Sequence, residues 1–159
     1  MLLPLYGWPD DEPGLVFTER RADMRRHAGE ISFPGGRKDD ADADLAATAL
    51  REAEEEIGLS PARVELGEQL PTTGTFVTGY RIHPFVGRIP YPGELGLEPN
   101  PAEVETVLTL SLEVLRKGYA MRRLVRRGVP IHTPVYEVEG HQIWGATARI
   151  LGDFLKRLD

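Results

Sequence analysis

Glu52, Glu55 and Glu56 stand at positions i, i+3 and i+4. In a helix that spacing puts three carboxylates on one face, while Glu54 points away. Such a cluster is costly. Like charges at this spacing repel by roughly 0.2–0.5 kcal/mol per pair, and in the last turns of a helix they also oppose its dipole. A bound cation reverses both penalties, and hard oxygen donors favour Mg2+ or Mn2+ over Zn2+. The competing reading is a solvated acidic face, the commonest fate of a glutamate run.

The elements that must position this face can be read from periodicity. Ala46, Ala49, Leu50, Ala53 and Ile57 recur at helical spacing and predict a helix over Leu45–Ile57. The Asp-rich loop over 39–44 supplies N-caps, Gly58 a left-handed stop, and Ser60-Pro61 confirms the end. Short strands are predicted over Leu2–Tyr6 and 15–18, then over 64–69, 75–86 and 106–110, with a short helix over 112–116. A hairpin over 132–138 and 141–144 turns at Glu139-Gly140, and an amphipathic helix over 146–158 closes the chain. Mixed strands with two substantial helices imply an α+β domain layered α/β/α.

The 159 residues fit one domain, 1–159, and no apolar run reaches the length of a membrane span. Nor does the N-terminal sequence have the basic start of a signal peptide. Zero cysteines exclude disulfides and thiolate metal sites and fit a reducing cytoplasm, the expected location. A net charge of −6 argues against a nucleic-acid binder. Arginines are nonetheless clustered, with Arg20, Arg21, Arg25 and Arg26 early and Arg122, Arg123, Arg126 and Arg127 late. Solvated surface is the ordinary fate of each, but a local cluster can hold a small polyanion because the guanidinium fork matches phosphate oxygens.

The segment around the glutamates runs Gly35-Gly36, a loop, then Arg51-Glu52-Ala53-Glu54-Glu55-Glu56-Ile57-Gly58-Leu59. This resembles the Nudix box, Gly-x5-Glu-x7-Arg-Glu-apolar-x-Glu-Glu-x-Gly-apolar. Its second half matches over 51–59. The first half carries one extra residue, which leaves open whether Asp42 or Asp44 holds the arginine as the box's first glutamate does. The resemblance implies the Nudix fold, an α/β/α sandwich around a mixed sheet, and hydrolysis of a phosphoanhydride bond. It implies Gly36, Glu52, Glu55 and Glu56 as metal ligands for Mg2+ or Mn2+, with Arg51 orienting the cluster.

Upstream, Thr18-Glu19-Arg20, Arg25, Gly29 and Phe33-Pro34-Gly35-Gly36 are similar to the extra signature of coenzyme A pyrophosphatases. Thr-Ala-Leu-Arg-Glu-Ala over 48–53 and Ile-Trp-Gly-Ala-Thr-Ala over 143–148 resemble the same subfamily. Arg21, where that signature has a small residue, departs from it. The resemblance implies cleavage of coenzyme A or a derivative to 3′,5′-ADP and 4′-phosphopantetheine, with Arg20, Arg25 and Gly35 at the substrate. It also places one more catalytic carboxylate in the 100–105 loop, Glu103 ahead of Glu105 and Glu98. The expected partner is a small coenzyme A-like nucleotide, with a homodimer admitted and neither nucleic acid nor membrane expected. The alternatives are a pyrophosphatase for ADP-ribose, NADH or another nucleoside diphosphate derivative, and a nucleotide-sensing module without turnover.

Overall fold

The computed structural model describes residues 1–75, 78–90 and 95–159. Its central sheet is mixed. Strand β1 (Leu2–Tyr6) runs parallel to β7 (Phe85–Ile89), with Leu2 opposite Phe85 and Tyr6 opposite Ile89. β2 (Gly14–Arg20) lies antiparallel to the end of β1, to the short β3 (Ile31–Ser32) and, along its whole length, to β8 (Val104–Ser111). β4 (Glu65–Gln69) pairs with β7 and closes the far edge. A two-stranded ribbon of β5 (Thr73–Gly74) and β6 (Arg81–Ile82) stands apart from this sheet.

Alternation along the strands makes the layers. Leu2 and Val16 point to one face and bury against Ala49, Ala53 and Ile57 of helix α1 (Leu45–Ile57). Leu3, Leu5, Leu15 and Phe17 point to the other, where α3 (Gly145–Arg157) contributes Ala148, Ile150, Leu151 and Phe154. Burying each large aliphatic side chain contributes roughly 1.5–3 kcal/mol before chain entropy is counted. The α/β/α arrangement expected from the sequence is therefore the one found.

Helix α1 begins and ends for visible reasons. Asp44 caps it by accepting from the Ala47 amide at 2.8 Å. Gly58, at φ 68°, ends it, and the amides of Gly58 and Leu59 return to the carbonyls of Glu54 and Ala53. The short α2 (Leu112–Lys117) is capped by Ser111.

Several predicted elements change. No single strand spans 75–86: Arg81–Ile82 belongs to the ribbon, Pro84 precedes β7, and residues 76 and 77 lie outside the described residues. The predicted hairpin is a three-stranded antiparallel sheet, in which β9 (Tyr119–Arg126) pairs with β10 (Val129–Val138) and β10 with β11 (His141–Ile143). Its arginines hid β9 from a search for apolar alternation. β2 runs on to Arg20, because β8 gives it partners beyond residue 18. Among the described residues, no helix is long and apolar enough to cross a membrane.

Candidate metal centre

The acidic face of α1 is organised by one arginine. Arg51 donates from Nε and Nη2 to the two carboxylate oxygens of Asp42, at 2.9 and 3.0 Å. From Nη1 it donates to Glu52 Oε1 at 3.2 Å and to Glu55 Oε1 at 3.1 Å, and from Nη2 to the Arg37 carbonyl at 3.1 Å. Asp42 is nearly enclosed and also accepts from the Asp39 amide and the Thr48 hydroxyl, both at 2.9 Å. Hydrogen bonds to its charged form, foremost from Arg51, hold its carboxyl well below the usual range. The arginine-holding position left open by the sequence is thus filled by Asp42, and Asp44 caps the helix instead.

The Phe33-Pro34-Gly35-Gly36 loop is pinned beside β1 by a bond from the Leu2 amide to the Pro34 carbonyl, 2.8 Å. From there it passes so close to α1 that a Cβ on Gly36 would lie 2.4 Å from the Glu52 carboxyl carbon. Gly35 approaches Met1 almost as closely, with a built Cβ at 2.8 Å from its Cα. Both glycines are explained by close approach, since neither falls in the left-handed region. The backbone of Gly36 is accessible and rests against the carboxylate.

The three glutamates differ in setting. Glu56 is buried, Glu52 is mostly covered, and Glu55 is about half exposed. Burial, then the charges of Glu52 and Glu103, push the Glu56 carboxyl up to about 8 against opposition from the Gly35 backbone and Arg20. Glu52 is also raised, chiefly by burial, with Arg51 opposing and the charges of Glu55 and Glu103 adding. Among the described residues no three acidic or histidine side chains form a ready cation cage. Glu55 is drawn toward Arg51, and like-charged carboxylates have no reason to converge by themselves. The donor set still fits a hard divalent cation: oxygen ligands, two carboxyls whose charged forms are disfavoured by burial and by each other despite Arg51 and Arg20, and a cradle at Gly36 that a Cβ would fill.

The three later glutamates separate in space. The charge of Glu103 reaches both Glu52 and Glu56, whereas Glu105 acts on Arg21. Glu98 sits at the C-terminal end of α1, its amide bonded to the Ile57 carbonyl. The 100–103 turn is fastened to the site by the Asn100 amide on the Glu56 carbonyl (2.8 Å) and by the Arg21 amide on the Glu103 carbonyl (3.2 Å). Arg20 donates from Nε to the Arg26 carbonyl at 2.9 Å, and its charge is felt at Glu56. Arg25 is exposed and has no hydrogen bond or ion pair among the described residues.

The late arginines are otherwise engaged. Arg122 forks onto Glu137 at 2.9 and 3.0 Å, and Arg126 lies 3.6 Å over the Trp144 ring. Sequence reasoning missed a cleft of about 410 Å3 on the other side of Gly36, lined in part by Arg37, Lys38, Tyr80 and Arg81. Arg37-Lys38 directly follows the glycine pair and could have been noticed, but Tyr80-Arg81 carries no local signal.

The NUDIX domain family matches residues 8–127. The uncharacterized Nudix hydrolase NudL of Escherichia coli O1:K1 / APEC is 39% identical over 153 residues, which cover 95% of this chain and 77% of that protein. Among solved structures, the chain is similar to the NUDIX domain of Shewanella oneidensis NrtR complexed with ADP ribose. That likeness has a TM-score of 0.66 at 16% identity, covering 99% of this chain and 85% of that one. A MutT/nudix family protein from Enterococcus faecalis gives a TM-score of 0.65 at 16% identity, over 99% and 60% of the two chains. At such identities the likeness concerns the fold.

Proposed function

The chain belongs to the Nudix hydrolase family, whose members act on pyrophosphate bonds and generally use divalent metals, and from that premise we propose that it hydrolyses coenzyme A or a derivative to 3′,5′-ADP and 4′-phosphopantetheine. The observation that best supports a working site is the burial of Glu56 beside Glu52 and within reach of the charge of Glu103. A folded protein keeps so costly a cluster when a cation offsets it.

In this reading Glu52, Glu55, Glu56 and the backbone of Gly36 hold Mg2+ or Mn2+. A divalent cation held there would offset the charge of the pyrophosphate and lower the pKa of an attacking water. Water adds across the P–O–P bridge, so each product leaves with one phosphate end of the anhydride. Arg51, itself held by Asp42, keeps Glu52 and Glu55 in place. Glu103 accepts a proton or adds a ligand. Arg20, whose charge acts on Glu56, faces the pyrophosphate, and Arg25 is free to meet substrate phosphates. Gly35, which packs closely against Met1, carries the loop backbone past the substrate. The upstream signature through Gly29 and Phe33 supports coenzyme A in particular. The chain would act on this small molecule in the cytoplasm as one catalytic domain, as a monomer or a homodimer.

ADP-ribose, NADH or another nucleoside diphosphate derivative is the second reading, because the acidic face addresses only the pyrophosphate that all of these share. The test is a panel of coenzyme A, dephospho-coenzyme A, ADP-ribose and NADH with Mg2+, scored by kcat/KM. Coenzyme A should lead, exceeding its dephosphorylated form by roughly tenfold, the worth of one charged phosphate contact. Equal cleavage of those two, or preference for ADP-ribose, would overturn the substrate while leaving the hydrolase.

A further inference from the structure

We infer that the cleft beyond Gly36 is a nucleotide subsite, taking a purine ring and a terminal phosphate monoester; applied to coenzyme A, which rests on the reading above, these are the adenine and the 3′-phosphate. The cleft, about 410 Å3, is in the size range of small-ligand sites. Its charged lining is Arg37, Lys38 and Arg81, and its apolar lining includes Leu45, Ile82 and Tyr80.

Three observations converge on it. The first is uncompensated charge. This chain carries a net charge of −6, and several of its arginines are neutralised locally, as Arg21 is by Asp23, Arg88 by Glu65, Arg122 by Glu137 and Arg157 by Glu68. Arg37, Lys38 and Arg81 have no carboxylate partner among the described residues. Three such cations around one concavity attract an anion, and guanidinium groups suit phosphate.

The second is a stacking surface. The Arg37 guanidinium lies 4.6 Å over the Tyr80 ring, and Tyr80 remains 44% exposed. Leu45 is 36% exposed on the α1 wall of the same cleft. A flat cationic–aromatic pair next to an exposed aliphatic side chain receives a base through its π-face, whichever base it is.

The third is continuity with the chemistry. Gly36 lines the cleft and also rests against the Glu52 carboxylate, while the Arg37 carbonyl accepts from Arg51. A ligand in the cleft therefore reaches the acidic face without leaving the protein surface. The larger cavity, about 840 Å3 between α3 and β9–β10, has an exposed aromatic in Tyr119 but no continuity with the chemistry. Its Arg116 is paired with Asp159 at 2.9 Å, and neither the glycine loop nor the acidic helix borders it.

The experiment uses 3′,5′-ADP and AMP as probes, titrated calorimetrically against the full chain and its Arg37→Ala, Arg81→Ala, Tyr80→Ala and Tyr80→Phe variants. Wild type should bind 3′,5′-ADP more tightly than AMP. Arg37→Ala and Arg81→Ala should erase that difference. Tyr80→Ala should weaken both probes by roughly tenfold, and Tyr80→Phe should restore binding, because stacking needs the ring and not the hydroxyl. In turnover the alanine variants should raise KM for coenzyme A more than they lower kcat. If coenzyme A is cleaved while all four variants bind the probes as wild type does, the subsite is wrong and the substrate reading survives. If coenzyme A is not cleaved but the variants weaken the probes as described, the subsite stands and the substrate reading falls. No binding of either probe by wild type overturns the subsite.

Discussion

Arg51 and Asp42 meet fork to fork, Nε on Oδ1 at 2.9 Å and Nη2 on Oδ2 at 3.0 Å. They are nine residues apart in sequence. The loop that carries Asp42 folds back along the first two turns of α1, where the Thr48 hydroxyl also bonds Asp42. Because the Nη1 arm of Arg51 holds both Glu52 and Glu55, the fork fixes where the acidic face points.

Removing Asp42 should therefore be felt at the reaction. Asp42→Ala is expected to lower kcat roughly tenfold to a hundredfold, the usual cost of losing a group that orients ligands. Asp44→Ala should cost about 1 kcal/mol of stability as a lost cap and leave kcat close to wild type. Steady-state kinetics and thermal unfolding on both variants decide the matter. The opposite pattern would give the arginine-holding role to Asp44.

Glu55→Gln and Glu56→Gln should each fold, since the change is near-isosteric and relieves repulsion within the cluster. Each should reduce kcat by orders of magnitude. Near-normal turnover in both would remove the acidic face from the mechanism.

Millimolar Mg2+ or Mn2+ should raise the melting temperature, and chelation should lower it again. A ligand that binds only the native state stabilises by about 2.7 kcal/mol at a hundredfold excess over Kd. Glu52→Gln should shrink the shift. A melting temperature indifferent to saturating metal would favour a merely solvated acidic face.

The raised Glu56 carboxyl makes stability depend on pH in a definite direction. Its folded value, about 8, lies above the ordinary 4.5, so between those values the native state holds more protons than the unfolded one. Stability from this group is fully present below 4.5 and is lost as pH rises toward 8, by at most roughly 1.4 kcal/mol per pH unit. Denaturant unfolding in chelator from about pH 5 to about pH 8 should show the decline, and Glu56→Gln should flatten it. Saturating Mg2+ should oppose it, since the metal prefers the ionised carboxylate. Identical pH profiles for wild type and Glu56→Gln would show that Glu56 titrates normally.

What the sequence determined by itself is what short-range geometry controls. The acidic face follows from 3.6 residues per turn. The limits of α1 follow from Asp44 and Gly58, and the layering from alternation in β1 and β2 and the stripe of Ala49, Ala53 and Ile57. Gly36 stood out because a family motif preserves it, and the structure adds the reason, a Glu52 carboxylate where a side chain would be.

What only tertiary structure decided involves partners far apart in the chain. The choice of Asp42 over Asp44 depended on which loop carboxylate the fold turns toward Arg51. Glu103 came within reach of Glu52 and Glu56 because β8 pairs with β2 and the Asn100 amide bonds the end of α1. β9 was hidden because half-exposed strands tolerate arginine, and pairing with β10 defines that strand more than its apolar pattern does. The cleft of Arg37, Tyr80 and Arg81 joins residues more than forty positions apart. Neither segment signals a ligand by itself. Local spacing reveals charge gathered within one helix, as in Glu52, Glu55 and Glu56, whereas charge gathered from distant segments becomes informative only once folding brings it together without a counter-ion.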